Sequence, residues 1–331
     1  MKTAFLENPQ NVVLKDIPIP EPKAGELRIK LKKIGICGSD VSLFLGKRLL
    51  NKPTIIGHEG LGIVEKIGEK ISTRKLGERV AVEPNIPCGE CKFCKQERGN
   101  ICINKRVIGV NENGCFAEYI CLPEEFCWPI PDEISDENAV MLEPTAVVVH
   151  ALSKSSAKPG ETIAVIGLGA IGLLLTDLAI ALGYQVFVTE INQEKLALAQ
   201  KLGAKEAKGT ENKINKIWEE NEVITVFECA GLAQTATLAT NAAPRGSEII
   251  LLGLATNAAQ FTPLKIVREG ISILPSIIYN HPADFRKAID LIRKKIIIPG
   301  KFISSYFPLS QIQIALEKAS KGDQTKIIIE I

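Results

Sequence analysis

The sequence predicts an α/β chain of two domains, one β-rich and one built on a doubly wound parallel sheet. Three observations carry that prediction. The chain has 331 residues, which suits two domains of ordinary size. Its texture changes near Lys158-Pro159-Gly160, from short β-prone runs to a regular alternation of strand-like and helix-like segments. A glycine-rich turn, Gly167-Leu168-Gly169-Ala170-Ile171-Gly172, stands at the first strand-to-helix junction after that change.

Taken in order, residues 26–34, 60–67 and 79–82 read as strands separated by Gly, Pro and charged turns. Beyond the change, strands at 162–166, 185–189, 222–227 and 248–252 alternate with helices at 170–182, 193–202 and 232–243. Such alternation implies parallel strands joined by helical crossovers. A helix at 282–293 and an apolar strand at 326–331 close the chain. Lys201, Lys205, Lys208, Lys213 and Lys216 read as a solvated helix face.

Composition narrows the function classes. Hydrophobic residues make up 46% and charged residues 24%, a folded balance. With 40 basic and 38 acidic residues the net charge is +2, too little to neutralise a nucleic-acid backbone. No apolar run is long and uninterrupted enough to span a bilayer, and the N-terminus lacks a secretory pattern. Nine cysteines, an odd number, argue against a disulfide framework. They favour a reducing compartment, so the expectation is cytoplasmic.

Gly167, Gly169 and Gly172 form a G-x-G-x-x-G pattern between an apolar strand and an apolar helix. The first glycine permits the tight turn, the second lets backbone approach a pyrophosphate, and the third lets helix and strand pack closely. Ala170 and Ile171 open the helix, whose free N–H groups favour an anion. Glu190 ends the next strand, where a carboxylate binds ribose hydroxyls and repels a 2′-phosphate. Ile191 and Asn192 follow it, and no arginine is there to receive that phosphate. The pattern therefore favours NAD over NADP.

Two clusters look metal-binding. Cys88, Cys91, Cys94 and Cys102 form C-x2-C-x2-C-x7-C, a set suited to closed tetrahedral zinc. An iron–sulfur cluster is the alternative metal reading. The second cluster is dispersed: Cys37, His58 and Glu59, with Glu143 as a further candidate. Mixed ligands from distant segments suit a zinc that keeps one position open for chemistry.

Together these motifs resemble the zinc-containing medium-chain alcohol dehydrogenase family. The carriers are Cys37-Gly38-Ser39-Asp40, Gly57-His58-Glu59-Gly60 with Gly62 and Val64, the four-cysteine lobe, Glu143-Pro144 and the glycine turn. The set resembles the sorbitol (polyol) and threonine dehydrogenase branch in particular. The resemblance implies a GroES-like β-barrel catalytic domain over residues 1–146 and 281–331, with a zinc lobe at 85–105. It implies a Rossmann domain at 147–280, with the active cleft between the two. It implies two zincs per chain, one held by Cys37, His58 and either Glu59 or Glu143, the other by the four cysteines. Ser39 then handles the substrate hydroxyl proton, Asp40 orients the histidine, and Lys326 reaches toward the Gly-His-Glu carboxylate.

The implied activity is hydride transfer between a secondary alcohol and NAD, by a homodimer or homotetramer acting on a small molecule. Where many relatives carry a proton-relaying histidine this chain has Ser42, so the proton leaves by another route, through ribose hydroxyls, water or a carboxylate. Alternative substrates are a threonine-type amino alcohol, an aldose, a phosphorylated polyol or a cyclitol. A non-enzyme alternative is an NAD-binding protein with structural zinc only. His150, His281 and Trp128 read as packing residues, His281 at a helix entry.

Overall fold

A computed structural model describes all 331 residues. The chain forms two compact units, Met1–Pro144 with Asn280–Arg293 and Ile298–Ile331, and Thr145–Tyr279 with Lys294–Ile297. No helix is long and apolar enough to cross a membrane.

The first unit is built around the strand Glu26–Ile36. Leu27, Ile29, Leu31 and Ile34 on it are all buried. It pairs antiparallel with Glu59–Ile67, with Tyr119–Pro123 and with Lys326–Glu330. Ile327, Ile328 and Ile329 of the last strand are buried, which ties the C-terminus into the sheet of the N-terminal half. Arg79–Val82 and Cys127–Pro129 extend the sheet on one side, and Ile303–Pro308 on the other. A three-stranded sheet of Asn11–Asp16, Lys2–Asn8 and Thr54–Ile55 adds to the same hydrophobic core.

The second unit is a six-stranded parallel sheet. Its strands, in chain order, are Thr162–Ile166, Gln185–Thr189, Lys205–Glu206, Val223–Glu228, Glu248–Leu251 and Ser272–Pro275. Numbered that way their spatial order is 3-2-1-4-5-6, the doubly wound arrangement whose ligand crevice lies where the order reverses. Two of these strands lacked a sequence signal. Lys205–Glu206 is only two residues long, and Ser272–Pro275 is a largely exposed edge without apolar alternation. Lys213 and Lys216 stand on the exposed face of the helix Glu211–Glu220, whose Ile214 and Trp218 are buried.

Candidate functional site

Antiparallel pairing sets the first cluster. The strand Glu26–Ile36 ends where Glu59–Ile67 and Lys326–Glu330 begin, with Gly35 opposite Glu59 and Ile36 opposite Ile327. Cys37, His58, Glu59 and Lys326 therefore gather at one end of the sheet from three separate stretches of chain. Ligand atoms of Cys37, His58 and Glu59 lie within 4.8 Å of one another. Gly35 makes room for this, since a Cβ there would sit 2.0 Å from Glu59 Oε2.

The surroundings hold these groups. Asp40, fully buried, lies in the first turn of the helix Gly38–Phe44. Its Oδ2 accepts from Cys37 N at 2.9 Å and its Oδ1 from Gly57 N at 3.2 Å. His58 Nδ1 is 3.2 Å from the same Oδ1, although its N–H is not aligned for a hydrogen bond. The other ring nitrogen, Nε2, is 3.4 Å from Ser39 Oγ. Burial disfavours the His58 cation, but the Asp40 carboxylate outweighs it and holds the imidazole pKa well above its usual range. Lys326 Nζ donates to both Glu59 oxygens at 2.7 Å and to Ile36 O at 3.2 Å, all out of contact with solvent. Glu143 is buried nearby but stands outside the 4.8 Å group. Burial pushes its carboxyl up to about 7, with Glu59 and Glu83 adding to the rise and His58 and Lys326 opposing it.

The four-cysteine lobe tests directly for a tetrahedral ion. Four sulfurs each about 2.3 Å from a tetrahedral centre lie about 3.8 Å apart. The observed separations are 3.4 Å for Cys88–Cys102, 3.5 Å for Cys91–Cys94, 3.9 Å for Cys91–Cys102 and 4.0 Å for Cys88–Cys94. The sulfurs are thus already at zinc spacing. Backbone N–H groups of Cys94 and Ile103 pull the Cys91 thiol down to about 6, while burial and the neighbouring sulfurs push Cys94 up to about 12. A thiolate ligand needs the first condition, and a cation relieves the second.

In the second unit the glycine turn follows the strand Thr162–Ile166. Gly167 has φ +86°, and a Cβ on Gly172 would meet Gly167 O at 1.9 Å. At Gly169, which precedes the helix Ala170–Ala181, a Cβ would meet nothing within 4 Å. The turn is thus packed tightly where helix meets strand and open where an anion would rest on the helix N-terminus, which Ala170 and Ile171 begin. Glu190 is held by three N–H groups, those of Leu168 at 2.6 Å, Ile191 at 2.8 Å and Asn192 at 2.9 Å. One lone pair, on Oε2, is left for a ribose hydroxyl.

Comparison with known proteins decides the family. Residues 23–132 match the alcohol dehydrogenase GroES-like domain and residues 170–294 match zinc-binding dehydrogenase. The chain is 31% identical to sorbitol dehydrogenase of Bacillus subtilis over 99% of its own length and 97% of the relative's. The chain belongs to the zinc-containing medium-chain alcohol dehydrogenases. It is 32% identical to D-arabitol-phosphate dehydrogenase of Enterococcus avium, over 95% and 92% of the two chains. Among solved structures, an alcohol dehydrogenase (RspB) of Escherichia coli CFT073, complexed with NADH, superposes with a TM-score of 0.92 at 28% identity, covering 100% and 99%. This dehydrogenase therefore has the GroES-like plus Rossmann architecture and is an oxidoreductase acting on alcohols.

Two features of this dehydrogenase escaped the sequence. His281 does more than enter a helix, because its Nδ1 lies 2.8 Å from Glu83 Oε2, which also accepts from Trp128 Nε1 at 2.7 Å. Glu83 is fully buried, and burial raises its carboxyl pKa against the pull of His281 and Trp128. Trp128 in turn stacks on Phe285 at 5.3 Å. Glu228 is buried at a strand end and accepts from Ala230 N, Gly231 N and Thr235 Oγ1 at 2.9, 2.9 and 2.7 Å, which fixes the turn facing Gly167. His150 is buried, as a packing residue should be.

Proposed function

We propose that this chain oxidises a secondary alcohol of a polyol to a ketone with NAD, and catalyses the reverse reduction. The observation that carries the proposal is the convergence of Cys37, His58 and Glu59 ligand atoms within 4.8 Å. Mixed thiolate, imidazole and carboxylate ligands suit a catalytic zinc with an open position, and Glu143 stands by as a second carboxylate. Cys88, Cys91, Cys94 and Cys102 hold a second, structural zinc. Bound among Cys37, His58 and Glu59, zinc supplies Lewis acidity toward the alcohol oxygen. The Asp40 carboxylate, 3.2 Å from His58 Nδ1, favours the ring orientation that leaves Nε2 for the metal. Ser39, whose hydroxyl flanks Nε2, accepts the substrate hydroxyl proton and passes it outward. Lys326 balances the charge of Glu59.

Residues 1–146 and 281–331 act as the catalytic domain and 147–280 as the nucleotide-binding domain. Gly167, Gly169, Ala170, Ile171 and Gly172 cradle the pyrophosphate and Glu190 selects NAD through the ribose. The names of the relatives, sorbitol and D-arabitol phosphate dehydrogenase, support a polyol substrate. The edge strand Ser272–Pro275, with Leu264 and Val267 exposed beside it, supports a homodimer or homotetramer. All nine cysteines are free, which supports the cytoplasm.

Metal analysis and turnover of Cys37→Ala and His58→Ala test the mechanism. Zinc falls by about one per chain, since a site that loses one of three protein ligands binds poorly. NAD binding survives and turnover drops by orders of magnitude. Ser39→Ala keeps both zincs and loses turnover. Near-normal turnover of Cys37→Ala overturns the proposal, and light scattering that finds only monomer overturns the oligomer.

A further inference from the structure

Beside the helix Ala283–Arg293 the first unit holds a cavity of about 550 Å³. That volume lies in the range of about 300–1,000 Å³ usual for small-molecule sites. Helical spacing builds one wall. Arg286, Ile289, Asp290 and Arg293 recur on one face of the helix and line the cavity, while Phe285, Ala288 and Ile292 on the opposite face are buried. The strand Cys127–Pro129, at the edge of its sheet, supplies another wall through Trp128 and Pro129. None of Cys37, His58, Glu59 and Glu143 lines this cavity, so the site is independent of the proposed alcohol oxidation.

Two of its rings are pinned by one buried carboxylate. Glu83 Oε2 accepts from Trp128 Nε1 at 2.7 Å and lies 2.8 Å from His281 Nδ1, while Oε1 meets no partner. Trp128 also stacks on Phe285, with 14° between the ring planes. Rings held this way are ordered before a ligand arrives, which lowers the cost of binding. The charges of the cavity are unevenly matched. Arg74 meets Glu124 at 3.3 Å and Arg293 meets Asp290 at 3.1 Å, so those two lining cations are balanced. Arg286 and Glu125 also line the cavity, both exposed, and neither has an ion-pair partner in the protein. Both act on His281. Burial lowers its pKa most, Glu83 outweighs burial, Glu125 adds to the rise and Arg286 opposes it. The cavity thus presents one unmatched cation, one unmatched anion and apolar surface from Trp128, Pro129 and Ile289. A zwitterion with an apolar body matches all three, whereas a plain anion or a plain cation leaves one charge unmatched.

We propose that this cavity is an accessory site for a free α-amino acid with an apolar side chain. Arg286 takes the carboxylate, Glu125 takes the ammonium, and the side chain lies against Trp128, Pro129 and Ile289.

The test titrates the zinc-loaded, full-length chain with L-phenylalanine, by calorimetry and by tryptophan emission. Trp128 lines the cavity, and Trp218, the other tryptophan, is fully buried in the second unit. Emission should therefore change on binding, and Trp128→Phe should remove the change. Phenylalanine should bind about tenfold more tightly than 3-phenylpropionate, which lacks the ammonium, and than 2-phenylethylamine, which lacks the carboxylate. Arg286→Ala should weaken phenylalanine to the level of phenylethylamine, whose own affinity stays unchanged. Glu125→Gln should weaken it to the level of phenylpropionate. Both residues are exposed, so neither variant disturbs folding. Cys37→Ala should bind phenylalanine as the wild type does. No binding heat and no emission change at millimolar phenylalanine overturn the site. Full affinity in either Arg286→Ala or Glu125→Gln overturns the assignment of the charges. Phenylpropionate or phenylethylamine bound as tightly as phenylalanine overturns the zwitterion.

Discussion

Lys326→Met isolates the charge balance of the catalytic cluster. Lys326 and Glu59 are 3% and 1% exposed, and the ammonium meets both carboxylate oxygens at 2.7 Å. Methionine fills much of the same volume but leaves Glu59 buried beside no cation. Removing one partner of a buried pair costs about 3–5 kcal/mol. With a urea slope near 3 kcal/mol/M, the midpoint of zinc-free protein should fall by roughly 1–2 M. Zinc held by Glu59, as proposed, would supply the missing positive charge, so zinc should stabilise the variant more than the wild type. The pH dependence has a definite sign. Burial pulls the Lys326 pKa down, but Glu59 and its neighbours outweigh burial and hold it above the ordinary 10.5. A raised lysine pKa stabilises the fold below its unfolded value, and that stabilisation is lost as pH rises through the folded value. The gap between wild type and variant should therefore persist through neutral pH and close only in alkali beyond 10.5. Urea midpoints of the metal-free proteins across pH measure it. Equal midpoints at neutral pH, or a gap that closes well below 10.5, would refute the reasoning.

In the lobe, Cys91→Ser should remove about one zinc per chain and lower the melting temperature, because metal binding in such loops is folding free energy; full zinc content with unchanged melting contradicts a structural site. In the glycine turn, Gly169→Ala should fold normally yet bind NAD weakly, since its Cβ enters open space where the pyrophosphate must approach. Gly172→Ala, whose Cβ would meet a backbone oxygen at 1.9 Å, should destabilise the second unit as well. Fluorescence titration with NADH beside thermal melts separates the two, and unchanged NADH affinity in Gly169→Ala counts against the cradle.

What the sequence made legible follows from how local each feature is. The glycine turn and the four-cysteine lobe are read from contiguous residues, so spacing alone describes them. Cys37, His58 and Glu59 are readable as ligand types, but strand register brings them together. Lys326 sits 267 residues from Glu59, and only family resemblance pointed to it. The same resemblance put Glu143 on a par with Glu59, whereas the structure sets Glu59 among the ligand atoms and Glu143 outside them. The Glu83–His281 pair spans 198 residues, and a histidine before proline carries no sign of a distant buried carboxylate. Lys205–Glu206 and Ser272–Pro275 went unread because partners in the sheet, rather than their own side chains, make them strands.

The two candidate metal sites differ in how far the protein prepares them. At the cluster of Cys37, His58 and Glu59, one buried carboxylate ties the chain at Cys37 and just before His58. Asp40 accepts from Cys37 N and from Gly57 N and faces His58. Glu59 starts a nine-residue strand within the main sheet and is held by Lys326. Each ligand is therefore placed by hydrogen bonds and core packing that need no ion. The lobe lacks such support. Its ordered pieces are the short turns Cys94–Gln96 and Gly99–Ile101 and the two-residue strand pair Asn85–Ile86 with Arg106–Val107. Of its four cysteines only Cys102 is buried. Four sulfurs at 3.4 to 4.0 Å crowd one another, and a shared cation would offset that crowding. Chelation should accordingly loosen the lobe first, while Cys37, His58 and Glu59 keep their places and can be reloaded with metal on a framework that is already folded.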